Sequence, residues 1–442
     1  MKAKPNIFRL TIPFIILICT WISSNFNWSE ARSGRIIQTD GTGYYAYLPA
    51  IFIYQDLNFS FFNDVAALNY HENHSYDYRY TYPGHTINKY YCGTAIAIEP
   101  FFLLAHLITI LTGNPADGYS VFYMISVNIA ALFYLAIGLV FLRKMLKMIP
   151  GASEGMIALI LLVTIFGTNI FYYTVEEPSM SHVYSFGLIN LFLWLGFRYF
   201  DKPMASRLFG MAILLGIIVL VRPVNGLILL LVPFTALSSS NLNKGLEFLY
   251  RKPLILFSGV VLFLLILSIQ LIIYKIQTGN IWVYSYGEEG FNFHDPQIIN
   301  FLFSYRKGLF IYTPVFLLSL AGGYFLYKEN KSRFFILAGF LIILIYVLSS
   351  WWQWYYGGSF SQRVMIEFYA IPALLLGYFL FYVRSVLLKR IYIALIILLL
   401  LVNIVQTEQY RIAQIHWSEM NKEKYWKVFL RVDKLITREK SW

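Results

Sequence analysis

Long runs of apolar residues, separated by short polar segments, recur along most of the chain. A segment needs roughly 17 to 25 apolar residues to cross the hydrocarbon core of a bilayer, and about eleven segments qualify. They lie near residues 7–24, 119–142, 154–173, 180–199, 206–221, 223–237, 254–274, 309–327, 334–350, 365–383 and 391–406. The pattern therefore predicts an all-α integral membrane protein, a polytopic bundle of about eleven transmembrane helices.

Basic residues cluster in every second connection between these runs, whereas most carboxylates and the Trp/Tyr-rich segments lie in the alternate connections. The basic clusters are Arg143, Lys144 and Lys147; Arg198, Lys202 and Arg207; Lys244, Arg251 and Lys252; Lys328, Lys331 and Arg333; and Arg384, Lys389 and Arg390. The positive-inside rule assigns these connections to the cytoplasm. We therefore expect a multi-pass protein of the plasma (inner) membrane with a cytoplasmic N-terminus and an extracytoplasmic C-terminal tail.

Residues 25–118 then form a long first outer loop. Two parts of it, near 44–54 and 94–112, are apolar enough to be helical. If 94–112 crossed the membrane, all five basic clusters would face outward, so we expect both segments to be juxtamembrane helices on the outer face. Residues 69–91 lack apolar periodicity and are expected to form a structured loop.

The chain is predicted to contain one polytopic membrane domain, residues 1–406, followed by an amphipathic outer tail, residues 407–442. An interfacial helix is expected in the tail because five apolar or aromatic residues recur there at helical spacing among basic residues. These are Tyr425, Trp426, Phe429, Val432 and Ile436.

Composition supports a membrane protein and excludes a nucleic-acid role. The 442 residues are 58% hydrophobic and only 13% charged, whereas soluble domains have about 25% charged residues. The net charge of +12 arises largely from short loops that set topology, so we expect no nucleic-acid partner. The outer face has no nucleotide supply, and carboxylates, arginines and aromatics gathered there indicate chemistry on a lipid-borne substrate.

Asp40 is the first candidate for that chemistry, because it follows the first span closely and precedes an aromatic helix that begins near Tyr44. A partly buried carboxylate has a raised pKa and can act as a general base toward an acceptor hydroxyl or amine. An Asx turn or helix N-cap explains the residue equally well. The segment Gly41–Ala46 happens to match a dinucleotide-binding pattern, but no strand precedes it.

Glu176 and Glu177 end the third span and could supply a second carboxylate that holds the acceptor or a cation. They could equally belong to a solvated loop. His182, five residues further on, is a candidate substrate ligand, although a hydrogen-bonded core histidine is the simpler interpretation.

Four cations lie on the face that the positive-inside rule leaves poor in them, and a phosphate ligand would explain all four. They are Arg222, Arg306, Lys307 and Arg363. Guanidinium groups bind phosphate oxygens in a bidentate manner and would stabilise a departing phosphate. For each cation alone, snorkelling or an ion pair, such as Arg363 with Glu367 at i,i+4, is at least as good an explanation.

The densest aromatic run, Trp351–Gly358, offers Trp354 and Tyr356 as rings that could stack on a sugar or flank a polyprenyl chain. An interfacial aromatic belt is the strong alternative. The segment His71–His74 is one residue short of a zinc-binding H-E-x-x-H motif, so no metal-binding residue is predicted. The chain also has no D-x-D motif, which removes one common nucleotide-sugar signature.

Taken together, these motifs make the chain resemble the GT-C glycosyltransferases, and more narrowly the bacterial branch related to protein mannosyltransferases and lipid A aminoarabinose transferases. The motifs are Asp40 after the first span; Glu176 and Glu177 after the third; Arg222-Pro223; the segment Tyr305–Phe310; and Trp354–Gly358 with Arg363. The resemblance implies a multi-span fold with juxtamembrane helices in the first outer loop. It also implies inverting transfer of a sugar from a polyprenyl-phosphate donor.

By the same resemblance, Asp40 is the base or acceptor-positioning residue, and Glu176 or Glu177 is a second outer acid. Arg306, Lys307 or Arg363 would hold the donor phosphate. The first loop contains one Asp where the family has a paired acidic motif, so a divalent metal remains a possible cofactor. The acceptor would be a cell-envelope lipid, glycan or protein.

Two other functions fit the same sequence. A polysaccharide polymerase or ligase would take a long lipid-linked glycan as its donor. A flippase or transporter would have its binding charges near the bilayer midplane, on broken helices within repeated halves. The charges noted here lie at the outer rim and no internal repeat is visible, so we expect an enzyme.

Overall fold

The computed structural model describes residues 7–67 and 76–437, and helices account for most of them. Seven helices in these ranges are long and apolar enough to cross a membrane; the first includes a short 3₁₀ turn, Ile7–Leu10. They are Ile7–Asn27, Gly93–Leu111, Val121–Leu146, Ser181–Asp201, Pro253–Thr278, Lys331–Ser349 and Val386–Arg411. The expectation of an all-α, multi-pass membrane protein is confirmed.

The predicted number of about eleven spans is not established. Three apolar helices are shorter: Glu154–Phe166, Ala205–Val221 and Ala370–Tyr382. At 1.5 Å per residue, 13 residues rise about 20 Å, less than the hydrocarbon thickness of about 30 Å. The 3₁₀ helix Pro223–Thr235 and the helix Ser239–Arg251 meet at 117° and together could count as an eighth span.

A proline explains one break within a predicted span. Residues 309–327 form three helices, Leu309–Tyr312, Val315–Ser319 and Ala321–Glu329. Pro314 lies between the first two and has no backbone N–H with which to continue the helical ladder. The sequence pattern predicted the apolar run but not the breaks within it.

The remaining elements are short and lie in the connections. They are the helices Glu30–Ser33, Asp40–Phe52, Phe62–Ala67, Ile170–Val175, Ile298–Phe303, Lys422–Val428 and Val432–Thr437, the 3₁₀ helix Arg363–Phe368, and the antiparallel strands Arg79–Tyr82 and His85–Asn88. The tail thus has two short helices where one was expected, because Leu430 between them has φ of +53°. The near-match His71–His74 lies outside the described residues.

Residues 25–118, predicted to form the first outer loop, have Asp40–Phe52 and Gly93–Leu111 as their two principal helices, so the expected helical segments are present. Ten consecutive residues of the former, Gly41–Ala50, are buried, so this helix is enclosed by protein. Gly93–Leu111 satisfies the length and composition of a span. Its assignment to the outer face, and the sidedness of the whole chain, stay predictions.

The chain divides into two compact units, each assembled from separate segments. One comprises Ile16–Gly138 and Tyr173–Glu289 and is called here the Asp40 unit. The other comprises Met1–Ile15, Leu139–Tyr172 and Gly290–Trp442, as far as these are described, and is called the Lys307 unit. The candidate residues fall into both units, so each unit is considered by itself.

Candidate functional site

Asp40 is the first residue of the helix Asp40–Phe52. The preceding residue, Thr39, has φ of +49° and ψ of −132°, a conformation that a β-branched residue adopts only at a cost. The strained backbone ends the preceding loop abruptly and starts the helix at Asp40. A carboxylate in the first helical turn is stabilised by the positive end of the helix dipole.

Two glycines let the first turns of this helix approach neighbouring segments closely. A Cβ added to Gly41 would lie 2.0 Å from the Ser179 Oγ atom, in the loop that carries Glu177. A Cβ added to Gly43 would lie 2.3 Å from the Tyr90 ring. Any larger residue at either position would have to push one of these neighbours away. The glycines that mimic a dinucleotide motif are therefore packing residues.

Tyr90 is the hydrogen-bond partner that the fold brings to Asp40. Its hydroxyl donates to Asp40 Oδ1 at 2.8 Å, and its ring lies 4.6 Å from that of Tyr44, centroid to centroid. The Tyr76 hydroxyl is 3.0 Å from the Tyr90 hydroxyl. Burial first, and then the nearby Asp40 charge, raises the pKa of Tyr90 well above its usual value. Tyr90 is therefore a neutral donor to Asp40 at physiological pH.

Buried side chains fix the backbone of Tyr90 relative to the Asp40 helix. The Asn88 amide donates to the Gly43 carbonyl at 2.7 Å, and its Oδ1 accepts from the Tyr90 backbone N–H at 2.9 Å. The Tyr47 hydroxyl donates to the Tyr90 carbonyl at 2.7 Å. Two of these hydrogen bonds connect the helix to the segment that carries Tyr90, and the third fixes the backbone within that segment. Together they hold the phenol against the carboxylate.

A second phenol, Tyr286, lies in the connection that follows Pro253–Thr278. Its ring contacts that of Tyr90 edge to face at 6.3 Å. Burial raises the pKa of Tyr286 well above its usual value; the nearby Asp40 adds to this rise and Arg222 opposes it. Tyr286 is thus within electrostatic range of both a carboxylate and a guanidinium.

An ion pair holds this connection against the hairpin. Lys89 Nζ is 2.6 Å from Glu289 Oε1 and lies 5.5 Å from the centroid of the Tyr286 ring. The Ser285 hydroxyl donates to the Lys89 carbonyl at 2.7 Å. These contacts fix Tyr286 beside Tyr90.

Arg222 is a half-buried residue at the end of the helix Ala205–Val221 and precedes a proline. Its guanidinium lies 3.5 Å from Nδ1 of the buried His182. The backbone just before Arg222 packs on Gly93, where an added Cβ would be 2.2 Å from the Leu220 carbonyl carbon. His182, predicted from the sequence as a substrate ligand or a core histidine, is a buried neighbour of the predicted phosphate ligand.

The loop that carries the two glutamates is held by its backbone carbonyls. Asn27 donates to the Val175 carbonyl at 2.8 Å, Asn128 to that of Thr174 at 3.0 Å, and Tyr184 to that of Pro178 at 2.9 Å. In this rigid loop Glu177 is buried, at 8% exposure, and Glu176 is half-buried. Of the two alternatives left open by the sequence, the solvated loop does not describe Glu177.

In the Lys307 unit, the predicted phosphate ligand Lys307 is almost fully buried. Its ammonium donates to the carbonyls of Ser359 and Trp417, the latter at 2.6 Å, and lies 5.3 Å from the centroid of the Tyr410 ring. Lys307 thus fastens the segment containing Ser359 to the segment that follows the last long helix.

The two other predicted phosphate ligands of this unit, Arg306 and Arg363, differ in their surroundings. The Arg306 guanidinium stacks on the Tyr355 ring at 3.4 Å, and its Nε donates to the Ser418 carbonyl at 2.9 Å. Arg363 begins the 3₁₀ helix Arg363–Phe368 and is half-buried. Glu367, the ion-pair partner suggested by the sequence, is fully buried in the same helix.

The aromatic run contributes mainly to packing. The Tyr356 hydroxyl donates to the Leu348 carbonyl at 2.8 Å, and the Tyr356 backbone has φ of +53°. The Trp354 ring packs edge to face on Tyr355 at 5.6 Å. The hydroxyl of Tyr356 therefore serves the end of the helix Lys331–Ser349, while Trp354 remains half-buried.

Within residues 7–67 and 76–437, no three His, Cys, Asp or Glu side chains are grouped closely enough to hold a metal ion. We therefore derive no chemical step through a metal.

Sequence reasoning missed Tyr90, Tyr76, Tyr286 and Lys89. All four lie in polar, tyrosine-rich stretches without periodicity, and Tyr90 is 50 positions from the carboxylate that it contacts. Only the density of tyrosine in these stretches could have drawn attention to them.

No family model, no curated protein and no solved structure matches this chain. The fold alone therefore defines its class, a multi-pass helical membrane protein.

Proposed function

We propose that the protein is a GT-C-like inverting glycosyltransferase. It transfers a sugar from a polyprenyl-phosphate donor to a cell-envelope lipid, glycan or protein on the extracytoplasmic face of the plasma membrane. The acceptor attacks the anomeric carbon and the bond to the lipid phosphate breaks. The acceptor proton passes to Asp40, and the phosphate leaves with the electron pair of the broken bond.

The observation that carries this proposal is the hydrogen bond between Asp40 and Tyr90 in an enclosed part of the Asp40 unit. A carboxylate that serves only as a turn or N-cap accepts from the backbone N–H groups of its own helix. Asp40 accepts from the phenol of Tyr90, a residue distant in sequence whose backbone segment is held by three hydrogen bonds. Such preorganisation is typical of a catalytic base.

Arg222 is the cation best suited to the departing phosphate. It shares the electrostatic environment of Tyr286 with Asp40, and a half-buried guanidinium can bind two phosphate oxygens at once. Glu177 and Glu176 assist by holding the acceptor beside Asp40, since the loop that bears them packs on Gly41. The resemblance implies donor-binding roles for Arg306 and Arg363, and these roles, like that of Trp354, stay predictions.

The test is transfer of radiolabelled sugar from synthetic polyprenyl-phosphate donors to cell-envelope extract by the purified protein. Asp40→Asn keeps the size of the side chain but removes the base, so we expect a rate loss of about 10²- to 10⁴-fold. Asp64→Asn, an exposed acid of the same predicted loop, is the matched control and should transfer normally.

Equal transfer by wild type and Asp40→Asn would reduce Asp40 to a structural residue and remove the proposed mechanism. If wild type accepts only long lipid-linked glycans as donors, the protein is a polymerase or ligase. If it moves lipid-linked glycan across vesicles without forming a covalent product, it is a flippase.

A further inference from the structure

We propose that Tyr90 is the positioning residue of Asp40 and that Tyr90 and Tyr76 form the route by which the proton taken up by Asp40 reaches bulk water. This inference rests on the proposed role of Asp40 as a base. It adds two residues to that role and a path for the proton that each turnover must release.

The three groups form a continuous hydrogen-bonded chain that ends at an exposed side chain. Tyr90 is 4% exposed and bonds to Asp40 on one side and to Tyr76 on the other, at 2.8 and 3.0 Å. Tyr76 is 36% exposed, so the far end of the chain lies at the protein surface. Asp40 itself is half-buried, and the two phenols offer its proton a path separate from the acceptor bound to the carboxylate.

The proton balance closes without any additional reactant. The acceptor O–H bond breaks and its proton joins the Asp40 carboxylate. After the Tyr90 hydroxyl reorients, the Asp40 carboxyl passes its proton to the Tyr90 oxygen while Tyr90 passes its own to the Tyr76 oxygen. Tyr76 then releases a proton to water, and Asp40 is again a carboxylate.

Other titratable or charged groups that face Asp40 affect its charge but do not extend this chain. Tyr286 and Arg222 share its electrostatic environment, and Glu177 lies on the loop packed against Gly41. Arg222 favours the carboxylate, and Glu177, when charged, disfavours it. The hydrogen bond from Tyr90 is an independent contribution that favours the charged carboxylate.

The tests are Tyr90→Phe and Tyr76→Phe, which remove a hydroxyl and keep the ring. Tyr90→Phe should lower kcat tenfold to a hundredfold, about the effect of one lost hydrogen bond to a charged group. It should also move the acid limb of the kcat/KM profile to higher pH, because the carboxylate loses a donor. Tyr76→Phe should lower kcat by a smaller factor, leave the acid limb in place, and recover with a small buffer base such as imidazole.

Tyr82→Phe is the matched control. It removes a phenolic hydroxyl from the hairpin that lies between Tyr76 and Tyr90 in the chain, and within residues 7–67 and 76–437 this hydroxyl makes no hydrogen bond. This variant should keep both the rate and the pH profile of wild type. Activity equal to wild type in Tyr90→Phe, with an unmoved acid limb, would overturn the proposal.

A second measurement needs no activity and separates this inference from the proposed function. Infrared titration of the purified protein identifies the Asp40 carboxyl band as the one absent from Asp40→Asn. Its midpoint should move to higher pH in Tyr90→Phe and stay in place in Tyr82→Phe. An unmoved midpoint would overturn the positioning role, whereas a moved midpoint in a protein without transferase activity would support it and reject the glycosyltransferase.

Discussion

Two cations predicted from the sequence as phosphate ligands have opposite kinds of partners in the two compact units. Lys307 is 1% exposed and its ammonium donates to two backbone carbonyls. Arg222 is half-buried, and its guanidinium lies 3.5 Å from a ring nitrogen of His182. The first arrangement joins two chain segments through their backbone, whereas the second places a guanidinium beside a side chain that can itself titrate.

The carboxylates of the two units also differ. Asp40 accepts a hydrogen bond from Tyr90, whose hydroxyl is also bonded to the exposed Tyr76, and by the proposed route its proton can be exchanged. Glu367 in the Lys307 unit is fully buried within a short 3₁₀ helix. A charged residue on a predicted outer face thus indicates function only when its partners can themselves exchange a proton or give way to a ligand. A cation that donates to backbone carbonyls is more simply explained as structural.

Among the variants that test the difference between the Asp40 unit and the Lys307 unit, Arg222→Gln should have the largest effect on transfer. Removing a preorganised donor to a developing phosphate charge costs about a hundredfold to a thousandfold in rate. We expect a loss of this size in kcat/KM for the polyprenyl-phosphate donor, measured by radiolabel transfer, and a partial recovery in Arg222→Lys.

The control for this experiment is Arg251→Gln. The Arg251 side chain is 73% exposed and pairs with Glu247 across one helical turn, and such surface pairs contribute about 0.3–0.5 kcal/mol. Transfer by this variant should be normal. If Arg222→Gln also transfers normally, the distinction between the two cations is wrong.

The sequence was sufficient to predict the helical, multi-pass nature of the chain and several residues worth attention. A helix that crosses a bilayer needs an apolar run of membrane length, so such runs are a direct signal, and all the predicted segments contain helix in the structure. Asp40 was identified because its position after a span and before an aromatic helix is a local feature. The interruptions at Pro314 and at the 117° bend after Thr235 depend on packing and were not anticipated.

The partners of Asp40 could not be predicted because they result from long-range packing. The strands of the hairpin, Arg79–Tyr82 and His85–Asn88, are only four residues long, too short for a sequence pattern to identify them, yet the hairpin carries the chain to Tyr90. The close approaches at Gly41 and Gly43 depend on which segments pack there, and the same glycines gave a misleading match to a nucleotide motif. The sequence gives the residue types in order but not the residues that pack against them in the folded protein.

Gly43→Ala should have an intermediate effect and tests the Asp40 side of the comparison without altering any polar group. The new Cβ would lie 2.3 Å from the Tyr90 ring and 2.8 Å from Tyr78 Cβ. The ring must move, which lengthens the bond to Asp40, so we expect a loss of transfer of about tenfold, the effect of one hydrogen bond.

Gly339→Ala is the appropriate control, because a Cβ at Gly339 meets no described heavy atom within 4 Å. It should stabilise its helix by up to about 1 kcal/mol and leave transfer unchanged. Combining Gly43→Ala with Tyr90→Phe should give little further loss if both changes act on the same hydrogen bond. Fully additive losses would mean that Gly43 acts elsewhere.

The smallest expected effect on transfer is that of Lys307→Met, which tests the Lys307 side. Methionine retains an apolar stem but leaves the Ser359 and Trp417 carbonyls without the ammonium. An unsatisfied buried polar group costs about 1–3 kcal/mol, so the melting temperature in detergent should fall while transfer by the folded protein persists. Lys427→Met, at an exposed position of the tail, should change neither quantity. If Lys307→Met instead abolished transfer at an unchanged melting temperature, Lys307 would be a ligand of the donor phosphate, as the resemblance implied, and bonding to carbonyls would no longer distinguish structural cations from functional ones.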